Sequence, residues 1–113
     1  CALPIYAARA EQGIDDIALV RLEQIYPFPR MSLTKELERY TNADVVWCQE
    51  EPANMGAWSF VDRRIEALLT EIGGTARRPL YCGRAEAASP ATGLAKRHAR
   101  EQEQLVQDAL MIA

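Results

Sequence analysis

Hydrophobic and polar positions alternate along this chain in two periods, and the switches between them mark its elements. Tyr6–Gln12 is Ala-rich with Gly13 behind it, the end of a helix closed by a glycine C-cap. Ile17-Ala-Leu-Val-Arg-Leu-Glu23 is a nearly continuous apolar run, which predicts a strand covered on both faces. Gln24–Pro29 holds Pro27 and Pro29 and predicts a stiff, extended connection. A helix is predicted from Ser32 as N-cap, with Leu33, Leu37 and Tyr40 as its apolar stripe and Asn42 at its end. Val45–Cys48 is the next strand, followed by a turn at Pro52–Gly56. Trp58, Val61, Ile65, Leu68, Leu69 and Ile72 then share one face of a four-turn helix that Gly73-Gly74 ends. Arg78–Gly83 predicts a short strand. A last helix runs from about Leu94 to Ala109, with Leu94, His98, Leu105 and Ala109 on one face.

Strands alternating with helices predict an α/β fold. We expect three layers: a mostly parallel open sheet with helices on both faces. The N-terminus breaks the pattern, because Cys1-Ala-Leu-Pro-Ile5 leads directly into a helix. We read residues 1–5 as a leader foreign to the domain, similar to the translated end of a sequencing adapter. Residues 6–113 are then the domain, short of its first strand.

Bulk properties narrow the class. The 113 residues suit one core, and 49% apolar with 26% charged residues is ordinary for a globular chain. A net charge of −3 gives no argument for nucleic acid or an anionic membrane, and no window is apolar enough to span one. Cys1, Cys48 and Cys82 form no CxxC pair, so the expectation is reduced thiols packed in strands rather than a zinc site or a disulfide framework.

In an open parallel sheet, ligands sit beyond the carboxyl ends of the strands. Here those ends carry Glu23, then Gln49, Glu50 and Glu51, with Asn54 and Trp58 in the turn that follows. Two readings stand for this rim: a carboxylate cluster that binds or positions a ligand, or a set of caps and interface partners for arginine. A second constellation is Arg77, Arg78 and Arg84 with the Ser89–Gly93 loop, where Ser89 and Thr92 precede a helix. A helix N-terminus attracts anions, and the same residues also serve as ordinary caps. His98 is the lone histidine and has no Ser or Cys nucleophile beside it in the pattern. No GxGxxG or Walker A motif occurs.

Several segments resemble one family when taken together. They are Val20-Arg-Leu-Glu-Gln-Ile-Tyr-Pro-Phe-Pro29, Val46-Trp-Cys-Gln-Glu-Glu-Pro-Ala-Asn-Met-Gly-Ala-Trp58, Arg78-Pro-Leu-Tyr-Cys-Gly-Arg84 and Ala88-Ser-Pro-Ala-Thr-Gly93, then His98 and Glu101-Gln102. In this order they resemble the C-terminal end of the thiamine-dependent decarboxylating component of the 2-oxoglutarate dehydrogenase complex. The departures are the N-terminus and Cys82, where a small residue is usual. The resemblance implies a transketolase C-terminal-domain-like fold and a place in the tricarboxylic acid cycle. It also implies thiamine diphosphate and Mg2+ held mainly by other domains, with no catalytic, cofactor or metal residue in this part. It implies a homodimer, a lipoyl-bearing succinyltransferase partner, and a bacterial cytoplasmic or mitochondrial matrix setting. An acetyl-CoA effector at Arg77, Arg78, Arg84, Ser89, Thr92 and His98 is the regulatory expectation. The competing reading is a stand-alone α/β interaction module without catalysis.

Overall fold

The structure, a computed structural model, describes residues 2–84, 86 and 95–112, with side chains described through 5–84 and 86 and in the last helix at 100 and 103–110. Among the described residues, four helices and two strands follow one another as α1 (Ala2–Glu11), α2 (Arg30–Leu37), β1 (Val46–Pro52), α3 (Trp58–Ile72), β2 (Leu80–Arg84) and α4 (Ala95–Ile112), with a 3-10 turn, Glu38–Tyr40, after α2. β1 and β2 are parallel neighbours, in the register Val46↔Leu80, Trp47↔Tyr81, Cys48↔Cys82.

Strand alternation distributes the side chains between two helical layers. Trp47 packs into a core with Leu33 of α2 and Val61, Ile65, Leu68 and Leu69 of α3. Opposite Trp47, Tyr81 packs against Trp58 in a tilted arrangement, with ring centroids 5.2 Å apart and planes at 47°. Cys82 points the other way, to α4, where its thiol lies 3.5 Å from the Leu105 carbonyl. Leu105, Val106, Ala109 and Leu110 are buried there, and α1 packs against α4. The stripe read from sequence in α3 is therefore its core face, with Val61 and Leu68 fully buried. Gly73 ends that helix in the left-handed conformation, its N–H donating to Leu69 O at 3.0 Å. The opposite flank of α3 is fastened by Arg78, which pairs with Asp62 at 2.9 Å and Glu66 at 3.5 Å.

Four elements differ from the reading of the pattern. Ile17–Glu23 has no regular secondary structure and pairs with neither β1 nor β2. A strand needs a neighbour for its N–H and C=O groups, and apolar composition cannot supply one. Ser32 lies inside α2 rather than at its cap. The helix begins two residues earlier at Arg30, since Pro29 is compatible with the first turn and its carbonyl accepts from Leu33 N at 3.0 Å. β1 runs on through Gln49, Glu50 and Glu51 to Pro52, so the polar residues belong to the strand and do not follow it. α1 also starts at Ala2 and so takes in Leu3–Ile5.

Candidate functional site

The site is the second half of β1 and the turn into α3. From Cys48 to Pro52, β1 advances four residues while β2 advances two, from Cys82 to Arg84. The two surplus residues form a bulge, and Glu50 and Glu51 are exposed in it. Gln49, at the start of the bulge, is turned inward and is only 5% exposed. Val45, Trp47 and Gln49 alternate onto the α3 side of the sheet, which places a polar side chain where the apolar pattern would put another core residue.

Every polar atom of that side chain is engaged. Oε1 accepts from Trp47 Nε1 at 2.9 Å and from the Trp58 backbone N–H at 3.0 Å. Nε2 donates to the carbonyls of Glu51 at 3.1 Å, Pro52 at 3.0 Å and Met55 at 2.8 Å. Two donors at one end and three carbonyls at the other fix the amide orientation without ambiguity. The amide thus satisfies three carbonyls of the turn and caps α3, whose N-cap residue Ala57 has no side-chain acceptor of its own.

Two glycines and a tyrosine complete the arrangement. Gly56 has φ +67, and a Cβ there would lie 3.0 Å from Glu51 Oε2 and 3.2 Å from Gln49 Oε1. Both the backbone angle and the space exclude a side chain. At Gly83 a Cβ would meet the Tyr81 ring, with Cζ at 2.7 Å, and Gln49 O at 2.9 Å. Tyr81 therefore folds over Gly83, and its hydroxyl donates to Arg84 O at 2.7 Å. Burial, as the leading cause, raises the Tyr81 pKa. Beyond the bulge, Ala53 N donates to Arg84 O at 3.0 Å and so rejoins the two strands.

Cys48 and Cys82 face each other across the ladder on the α4 side, not joined by a disulfide. Burial first, then its neighbour Cys82, pushes the Cys48 thiol from 9.0 up to about 12. Cys82 is raised as well, again first by burial. Both are packed, protonated thiols rather than nucleophiles.

The sequence-derived constellations fare differently. Gln49 and Trp58 come together at the turn, with Glu51 beside them and Asn54 exposed in its bend. Glu23 lies on the segment ahead of α2, 3.4 Å from Arg21, and among the described residues it forms no group of three acidic side chains able to hold a metal ion. The arginines lie at opposite ends of a strand: Arg77 and Arg78 precede β2, whereas Arg84 ends it, roughly 13 Å beyond Leu80 by strand rise. Arg78 is occupied by Asp62 and Glu66. Ser89 and Thr92 lie outside the described residues, and so does the side chain of His98, whose backbone is in α4.

Sequence reasoning put Gln49 on the rim and missed that it is the buried centre of the turn. The signal was its place two residues after Trp47, on the same face. Tyr81 was missed altogether, although the Tyr-x-Gly spacing on one strand face pointed to a ring lying over a glycine. Chemically, the arrangement holds a backbone in one shape and displays two carboxylates. Gln49 has no titratable proton and performs no acid–base step.

The family model described as 2-oxoglutarate dehydrogenase C-terminal matches residues 3–110. Proteins named 2-oxoglutarate dehydrogenase E1 component from Brucella anthropi, Brucella ovis and Brucella abortus are each 50% identical to the chain over 106 residues. The match covers 94% of the chain and 11% of each relative, so the chain spans about a tenth of their length.

Proposed function

The chain belongs to the 2-oxoglutarate dehydrogenase C-terminal family, and from that membership we propose that it is the C-terminal part of a 2-oxoglutarate dehydrogenase E1 component. On this reading the whole enzyme decarboxylates 2-oxoglutarate with thiamine diphosphate and passes succinyl to the lipoyl arm of its succinyltransferase partner. The observation that carries the reading is the family match over 3–110, which includes the QEEPxNxGAW segment.

The geometry supports an architectural role for this part. Gln49 locks the turn, and the locked turn presents Glu50, Glu51 and Asn54 outward. Such a surface suits a contact with another domain or with the second subunit of a homodimer. Among the described residues no three His, Cys, Asp or Glu side chains could hold a metal ion together. On this reading the remainder of the enzyme holds Mg2+ and the diphosphate. The transketolase-like arrangement of the full sheet and a bacterial cytoplasmic setting belong to the same proposal. An anionic effector such as acetyl-CoA, with Arg77, Arg78, Arg84, Ser89, Thr92 and His98 as its candidate residues, belongs to the same proposal.

The complete gene product tests this. It should reduce an artificial electron acceptor in the presence of 2-oxoglutarate, thiamine diphosphate and Mg2+, while residues 1–113 alone do not. A native start codon immediately before residue 1, or a full-length protein inert toward 2-oxoglutarate, would refute the reading in favour of a free-standing interaction module. For the effector, acetyl-CoA should raise the Tm of the full-length protein and Arg84→Ala should remove that rise; no rise in the parent counts against it.

A further inference from the structure

We propose that Cys48 and Cys82 form a two-coordinate site for a soft divalent cation of the mercuric type, bridging β1 and β2 beneath α4. The two residues are register partners in the parallel ladder, so their side chains leave the same face of the sheet. Their thiols lie within hydrogen-bond reach of each other, and the Cys82 thiol also lies 3.5 Å from the Leu105 carbonyl of α4. Cys48 is half-buried and Cys82 is buried. An ion therefore enters past Cys48 and is closed in by Cys82 and α4.

The spacing of the strands decides what can join the two sulfurs. Parallel neighbours stand about 4.8 Å apart, and in register their Cβ atoms are separated by about the same distance. A disulfide needs Cβ atoms about 3.8 Å apart, so the strands would have to close by about 1 Å. The ladder resists that. Val46↔Leu80 and Trp47↔Tyr81 pair on one side of the cysteines, and on the other the Ala53 N–H donates to Arg84 O at 3.0 Å. Two metal–thiolate bonds of about 2.3 Å, end to end, span about 4.6 Å, which the ladder accommodates as it stands.

Coordination number and charge then select the ion. Zn2+ takes four ligands in a tetrahedron, and among the described residues no third His, Cys, Asp or Glu side chain joins the pair. A soft cation that bonds two thiolates in line needs no third. On binding, each thiol gives up its proton to solvent and two sulfur–metal bonds form, so a divalent ion is held as a neutral bis-thiolate. A monovalent ion such as Cu+ would leave one negative charge in a place where burial disfavours it. Asp108 of α4 acts on Cys82 with like charge, and Glu50 acts on Cys48 in the same sense. A hard, hydrated ion does not displace protons from such thiols, whereas a cation whose bonds to sulfur are largely covalent does.

Mercury retention by the complete gene product tests the site. The parent and its Cys82→Ala and Cys48→Ser variants are loaded with excess mercuric chloride, dialysed against rising glutathione, and analysed for bound metal. Two thiolates fixed on one scaffold act on the ion at a high effective concentration, so single cysteines lose mercury first. The parent should retain one equivalent per chain more than either variant. Removing that equivalent should need about 100-fold more glutathione than removing mercury from the cysteine left in a variant. Zinc retention should be the same in all three proteins. Equal mercury retention in parent and variants would overturn the proposal, and zinc held by the parent alone would overturn the stated ion. A second arm needs no variant to fold: anomalous diffraction from mercury-soaked crystals of the parent should show one peak between the two sulfurs, bonded to both. A peak on Cys48 alone, or none at the pair, would refute the bridge. Neither readout involves turnover of 2-oxoglutarate, so this proposal and the functional one can fail separately.

Discussion

Replacing Gln49 with alanine removes the amide that holds the turn, and the cost can be worked from its partners. Five contacts between 2.8 and 3.1 Å are lost, although the two Nε2 hydrogens are shared among three carbonyls. That amounts to about four hydrogen bonds, each worth about 0.5–1.5 kcal/mol net. The Trp47 indole N–H and the Trp58 N–H are left without an acceptor in a part-buried site, which pushes the sum upward. Water reaching the exposed Glu51 side of the turn pulls it down. We expect a loss of about 4 kcal/mol, a large share of the 5–15 kcal/mol that holds an ordinary domain together. With a urea m-value of about 2 kcal/mol/M, the midpoint should fall by about 2 M. Trp47 and Trp58 are the two tryptophans of the chain and both donate to Gln49, so their fluorescence follows unfolding and the state of the turn together. Gln49→Glu sharpens the test, because an ionised carboxylate can still accept from both tryptophan donors but offers nothing to the three carbonyls. The introduced acid should have its pKa raised on folding. Relative to the parent, the variant should then be more stable near pH 4 than at pH 7, by about 1–2 kcal/mol. A loss below about 1 kcal/mol for Gln49→Ala, or a Gln49→Glu variant as stable as the parent at pH 7, would refute the account of the turn.

Three further outcomes follow from the same geometry. Gly56→Ala should cost about 2–3 kcal/mol in chemical unfolding, from a φ of +67 and contacts of 3.0–3.2 Å, and Gly83→Ala should cost at least as much because the Tyr81 ring must leave. Trp58→Ala should cost about 2–4 kcal/mol, as the half-buried ring gives up its tilted contact with Tyr81; unchanged urea unfolding would remove Trp58 from the core. Stability should fall as pH rises from about 9 toward 12. Unfolded thiols ionise near 9.0 while Cys48 stays protonated to about 12, so above pH 9 the folded state binds more protons than the unfolded one and alkali favours unfolding. Cys82 and Tyr81 act in the same direction, and Cys48→Ala should flatten the decline in Tm, whereas an unchanged slope would count against the burial of that thiol.

Much of this protein is legible in its sequence because the relevant physics is local. The stripe of α3 requires only that Val61, Ile65, Leu68 and Leu69 recur at helical spacing, and the end of that helix requires only a glycine at Gly73. The alternation of elements was likewise enough to predict a parallel pairing, which β1 and β2 make. What fails is whatever depends on a neighbour. Ile17–Glu23 has the composition of a strand, but a strand is a relation between two backbones and the second is absent from the sheet. The arginines at 77, 78 and 84 look like a cluster along the chain, yet β2 carries Arg84 to the far end and α3 takes up Arg78 with Asp62 and Glu66. Gln49 is the clearest case. By type it is a surface residue, and only the bulge of β1, the indole of Trp47, the N-terminus of α3 and the carbonyls of the turn make it the buried polar centre. The sequence by itself determined which segments are helical, which are extended and which family they form. Tertiary structure alone decided which polar groups meet, because a hydrogen bond or an ion pair depends on distances that chain spacing does not set.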